Sequence, residues 1–289
     1  MTSLVHLENG KWMISLWPDK GGCIVSAQYR GFPVFKPANL NAVEAGDVFA
    51  SSCFPLIPYS NRIAGGHFSF AARDYDLEPN HSDHIFPIHG NGWQSSWQIE
   101  KLAQHMCEMS MTYTPVKGGW PWAYKATQKI SLHDNVFKIE LCLENIDEQP
   151  FPAGLGFHPA FSDSAAAQVK FKTGDMWQCD DQLIPIRRSL LTELNDFSDF
   201  KKIKDIHLDN CFEDWGGKAE FKWPKLAGGI RMDGSSNLSH LVVYNDPKND
   251  YFCAEPVTHV NNGLNMSGEN AISILQPNKQ FSVLAAFSP

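Results

Sequence analysis

Apolar and polar positions alternate with a period of two along much of this chain. The clearest stretch runs from Val136 to Glu144. Phe137, Ile139, Leu141 and Leu143 fall on one side, and Lys138, Glu140 and Glu144 fall on the other with Cys142. Residues two apart on a strand share a face, so this spacing predicts a half-buried strand. Trp12, Ile14 and Leu16 repeat it, and Asn9-Gly10 just before them is a type I′ hairpin signal. Phe68 and Phe70 answer Tyr75 and Leu77 across a short polar turn. Ala219-Phe221-Trp223, Leu241 to Tyr244 and Phe281 to Phe287 read as further strands.

Helical periodicity is almost absent. The polar stretch from Ser189 to Lys204 carries scattered apolar residues and predicts either one short helix or a long excursion. Many short strands separated by Gly, Pro and Asn turns predict an all-β protein, a large β-sandwich or barrel. No Ser/Gly-rich linker, repeat or low-complexity block interrupts the pattern, so residues 1–289 are expected to form a single domain.

Composition narrows the partners. Apolar residues make up 43% and charged residues 19%, a balance that suits a sizeable core. A formal charge of −8 without runs of like charge argues against nucleic acid or an anionic membrane, which need a basic footprint. Seven scattered cysteines with no C-x-x-C pair suit buried free thiols in a reducing compartment better than a disulfide framework or zinc ribbon. The N-terminus has no basic region followed by an apolar core, and no apolar run approaches the ~18 residues of a membrane span. The expectation is a cytoplasmic monomer or homodimer that meets a small molecule.

Four segments are odd for ordinary β-structure. In F-P-L-I-P-Y-S-N-R-I-A-G-G-H-F, residues 54–68, a proline-punctuated apolar run delivers Asn61 and Arg62 just before Gly65-Gly66. The five-donor fork of Arg62 suits two adjacent acceptor oxygens, such as vicinal hydroxyls, although an arginine paired at a turn reads the same way. His89 closes an apolar run and is followed by Gly90 and Gly92 around Asn91, where another group can approach the backbone. The spacing of His81, His84 and His89 fits no common zinc signature, so no metal site is expected. In P-A-G-L-G-F-H-P-A-F and Y-F-C-A-E-P-V-T-H-V-N-N-G-L-N, one ionisable residue, His158 or Glu255, sits in apolar surroundings and is followed by proline. Asp209, in H-L-D-N-C-F, is a similar acid. A carboxylate among Phe, Cys and Ala is costly unless it is paired or performs chemistry. Taken singly, each is as well explained by a satisfied core position.

Read in order, these segments resemble the aldose 1-epimerase (galactose mutarotase) family. N-R-I at 61–63, G-G-H-F at 65–68, I-H-G at 88–90, W-P-W at 120–122, G-L-G-F-H-P-A-F at 154–161, L-D-N-C-F at 208–212 and F-C-A-E-P at 252–256 carry the likeness. None is specific alone; their common order is. The resemblance is closest to the shorter bacterial branch, and it implies a galactose mutarotase-like supersandwich with a sugar site on one concave sheet face. It further implies that Glu255 is the general base, His158 the general acid, and Arg62, His89 and Asp209, with the adjoining Asn61, the substrate-binding residues. No cofactor is implied. A glutamate at its ordinary pKa of about 4.3 would be ionised at neutral pH, and a histidine near about 6.5 can exchange protons there. A branch acting on hexose 6-phosphates commonly has an arginine soon after its H-G pair. Here His89-Gly90-Asn91-Gly92-Trp93 has none, which favours a free aldose, although Arg62, Arg187 or Arg188 could serve a phosphate. A sugar sensor without catalysis is the rival from another class. Trp122 and Trp177 are candidates to stack on a sugar face, with core packing the weightier expectation for each.

Overall fold

Alternation along the strands builds two large antiparallel sheets whose apolar faces meet. A computed structural model of the chain describes residues 4–268 and 271–289. Val136–Asn145 pairs with Tyr124–His133 on one side and Gln280–Ser288 on the other, near the middle of a nine-stranded sheet. Phe137, Ile139, Leu141 and Leu143 are buried, and the alternate positions are part exposed, as the spacing predicts. The second sheet has eight strands and includes Met176–Cys179, Leu208–Phe212, His240–Asn245 and Tyr251–Val257, with Ala160–Ser162 paired to the last of these. Phe161 of this sheet stacks 4.0 Å from Phe221 of the nine-stranded sheet and 5.4 Å from Phe252. Phe35 packs edge-on against Phe161 and against Phe137 and Phe287, tying the sheets together. Burial of such rings is the dominant favourable term in folding.

Three local expectations are refined. At the Asn9-Gly10 hairpin only Gly10 takes a positive φ, 79°, with Lys11 as the second central residue. That is the sign pattern of a II′ turn, not I′, and the Asn9 side chain accepts hydrogen bonds from the backbone of Lys11 and Trp12 instead of entering the left-handed region. Two-residue turns with two positive φ values are Arg30-Gly31, joining Cys23–Tyr29 to Phe32–Pro33, and Ala71-Ala72, joining His67–Phe70 to Arg73–Asp76. Ser189 to Lys204 is an excursion without a helix, pinned by Phe197, which stacks 4.8 Å from Phe171. All seven cysteines are free. No helix among the described residues is long and apolar enough to cross a membrane.

Candidate functional site

Most residues of Tyr251–Val257 are buried, so this strand reads as an apolar run and shows no alternation. The period-2 rule still sorts its side chains. Phe252 and Ala254 enter the main core, while Cys253, Glu255 and Val257 emerge on the opposite face. Cross-strand register extends that face. Cys253 lies opposite Tyr244, which lies opposite Asp209, and Glu255 lies opposite Val242, which lies opposite Cys211. Leu208 and Phe212 again point to the core, which turns Asp209 away from it. The result is a sheet face that carries two carboxylates.

Loops cover this face and close a cavity of about 220 Å³ lined by Asn61, Arg62, His89, His158, Asp209 and Glu255. All six residues expected to act as catalytic or substrate-binding groups therefore converge. Its volume is below the roughly 300–1,000 Å³ of drug-sized pockets and suits one small ring.

The loops are held by a reciprocal clasp. The Asn61 backbone N–H donates to His89 Nδ1 at 3.0 Å, and the His89 N–H donates to the Asn61 carbonyl at 3.0 Å. Both residues sit at φ 59°, and Asn61 Oδ1 accepts from the Arg62 backbone N–H and guanidinium. With Nδ1 accepting, the His89 proton must reside on Nε2. Burial, with the His158 and Arg62 charges, holds the His89 pKa well below 6.5, so this nitrogen is a neutral donor. Asn80 staples the same loop, donating to the carbonyls of Ile88 and Gly90 and accepting from the Ile88 N–H. The group that approaches Gly90 is the Ile57 carbonyl, to which Asn91 and Gly92 donate.

At the sheet face, His158 Nε2 lies 3.3 Å from Glu255 Oε1, and the His158 ring stacks 4.4 Å from Phe54. Glu255 is 3% exposed, and its Oε2 is buried without a hydrogen-bond partner. Burial, seconded by the Asp209 carboxylate and opposed by Arg62, raises the Glu255 pKa well above the usual carboxylate range. Burial lowers the His158 imidazole to about 3. Neither group keeps its ordinary value, contrary to the expectation of a glutamate ionised near 4.3 and a histidine near 6.5. The environment disfavours two protons and disfavours none, so the pair holds one between them. Burial also raises Asp209, against the pull of Arg62.

Sequence reasoning missed Lys36, Phe49, Tyr244 and Tyr251, which also line the cavity with His84, a residue weighed only as a metal ligand. Phe49 meets the rings of His81, His84, His89 and His158. Trp122 packs among Phe68, Phe70, Tyr75 and Phe151, and Trp177 donates to Glu213 at 3.0 Å. Neither tryptophan lines the cavity. Arg187 bonds Gln178, and Arg188 pairs with Glu213 at 2.9 Å, so both also lie outside the cavity lining. Among the described residues, the group placed to hold a metal is not the His81, His84, His89 trio but His89, His158 and Glu255, whose ligand atoms lie within 4.8 Å of one another. Lys36 and Arg62 line the same cavity and oppose a further positive charge there.

Comparison with known proteins agrees with this architecture. The family model described as aldose 1-epimerase matches residues 3–287. The Escherichia coli (strain K12) protein YphB is 26% identical over 251 residues, covering 83% of each chain. The crystal structure of a galactose mutarotase-like protein from Clostridium acetobutylicum superposes with a TM-score of 0.87 at 19% identity, covering 98% of this chain and 94% of that one. An aldose epimerase homologue from C. elegans gives 0.84 at 16% identity, covering 100% and 98%. The two structural likenesses carry the fold. The family-model match across residues 3–287 places the chain in the aldose 1-epimerase family.

Proposed function

We propose that this chain is an aldose 1-epimerase that interconverts the α and β anomers of a small aldose, with Glu255 and His158 as its proton-transfer pair. The observation that carries this reading is their 3.3 Å contact at the cavity, where Glu255 is almost fully buried and one of its oxygens is unpartnered.

Anomer exchange needs one base and one acid at adjacent oxygens. In the resting pair the proton sits on Glu255; once it has crossed the 3.3 Å contact to His158, Glu255 takes the proton of the C1 hydroxyl, C1=O forms, the C1–O5 bond breaks, and His158 delivers its proton to O5. Rotation about C1–C2 and closure with the roles reversed gives the other anomer. A pair holding one proton has one donor and one acceptor at every stage, so no net proton is drawn from solvent. The Nε2–H of His89 and the Arg62 fork donate to sugar oxygens, and Asp209 accepts from a hydroxyl. Asn61 positions His89 and Arg62 through its clasp.

Polarimetry of freshly dissolved single anomers should show mutarotation above the spontaneous rate. Binding without acceleration would favour a sensor. The pH profile adds a sharper check. The one-proton state spans from the His158 value of about 3 up to the raised Glu255 value, so kcat/KM should be flat across that window. A narrow bell between the ordinary carboxylate and imidazole values would contradict this account of the pair.

A further inference from the structure

Lys36 is a cavity residue that the mechanism above leaves unused. It follows Phe35 of the core, its backbone N–H donates to the Ala160 carbonyl at 2.8 Å, and its own carbonyl accepts from the Ser52 hydroxyl. Those bonds fix where the side chain starts. Its ammonium stands 4.8 Å from the centre of the Tyr251 ring, which lines the same cavity. Among the described residues, no carboxylate lies within 4.0 Å of it. A half-buried ammonium held on a ring face, with Asp47 and Asp250 acting on it only from beyond contact distance, has room for an anion in direct contact. Burial accordingly lowers its pKa from 10.5.

Its position relative to the pair gives the direction. Lys36 is on the His158 side, since its backbone N–H donates to Ala160, two residues beyond His158, and its charge acts on that imidazole. Arg62 acts instead on Glu255, Asp209 and His89. In a pyranose, O5 is bonded to C1 and to C5, and C5 carries the exocyclic C6. A cation beside the group that protonates O5 is therefore beside the C6 substituent. The charge balance gives the valence. Lys36 and Arg62 are positive, Asp209 is negative, the Glu255–His158 pair is neutral with its one proton, and His84 and His89 are held neutral. Among the lining residues one positive charge is left over, with Asp47 and Asp250 acting on Lys36 from outside the lining, in a chain whose formal net charge is −8.

Building on the epimerase reading, we propose that the substrate is a monoanionic aldose, a hexuronate whose C6 carboxylate is bound by the Lys36 ammonium. A phosphate dianion would want a second cation at that end, and Arg187 and Arg188 do not line the cavity.

The test compares glucose, glucuronate and glucose 6-phosphate, with NMR saturation exchange for turnover and calorimetry for binding. Wild type should prefer glucuronate to glucose by roughly tenfold or more in kcat/KM and in affinity, the range of one charge-assisted hydrogen bond. Lys36→Met should bring both ratios close to one through KM and Kd, and Lys36→Arg should restore them. A wild-type ratio near one, a preference for the 6-phosphate over glucuronate, or a Lys36→Met variant that keeps the wild-type ratio would each overturn the proposal. Calorimetry decides it even without turnover. Glucuronate bound in preference to glucose with no anomer exchange would support the Lys36 subsite and overturn the epimerase reading instead.

Discussion

Glu255→Gln is expected to lower enzymatic anomer exchange by about 10²–10⁴-fold, the usual contribution of one proton-transfer group. The glutamine fills the same space between Cys253 and Val257 and lies opposite Val242 on the neighbouring strand, but it cannot take the C1 hydroxyl proton. The protein should remain folded, and its stability relative to wild type should depend on pH in a stated direction. Burial raises the folded-state pKa of Glu255 above 4.5. Below that value both states are protonated and the carboxyl adds no penalty. As pH climbs toward the raised value, the unfolded state releases its proton while the folded state retains it, so wild-type stability declines. Glutamine has no such loss. The Tm of the variant minus that of wild type should therefore grow from pH 4.5 upward, the pattern of a site where function costs stability. Thermal unfolding across pH and polarimetry on the same samples check both halves. Wild-type turnover in the variant would remove Glu255 from the mechanism.

Gly90→Ala is expected to destabilise the protein by about 3 kcal/mol or more, in the range of severe steric substitutions. Gly90 takes φ 66°, and an added Cβ would lie 2.1 Å from the Ile57 carbonyl oxygen. That oxygen accepts from Asn91 and Gly92, so it cannot retreat without breaking the loop that presents His89. Gly65→Ala is the control. Its φ is 64°, but nothing lies within 4 Å of the added carbon, so only the left-handed backbone cost of roughly 1–2 kcal/mol applies. Urea unfolding of the two variants separates close approach from φ alone. Equal midpoints would show that contact with Ile57 does not matter.

Much of this was legible in the sequence because β-structure writes its faces at a fixed spacing. Val136–Asn145 and Trp12–Trp17 carry one solvent-facing side, and their alternation is plain. The site sheet is harder to read for the opposite reason. Tyr251–Val257 is covered by the core on one face and by loops on the other, so only the misplaced charge of Glu255 marks it. The pairing of Asp209, Tyr244 and Cys253 across three strands depends on register, which period-2 spacing does not supply. Lys36 had a signal that went unused. Like His158-Pro159 and Glu255-Pro256, Lys36-Pro37 is an ionisable residue in apolar surroundings followed by proline. The pKa values of the pair could not be read from the chain at all, because burial and the Asp209 charge arise only from folding.

The central claim is that Glu255 and His158 act as one unit, and the rates of Glu255→Gln, His158→Asn and the double variant test it most directly. By NMR saturation exchange on the best aldose, the double variant should be no slower than the slower single variant, because either loss leaves the other group without its proton partner. Losses that multiply would show two groups working independently and would contradict the account.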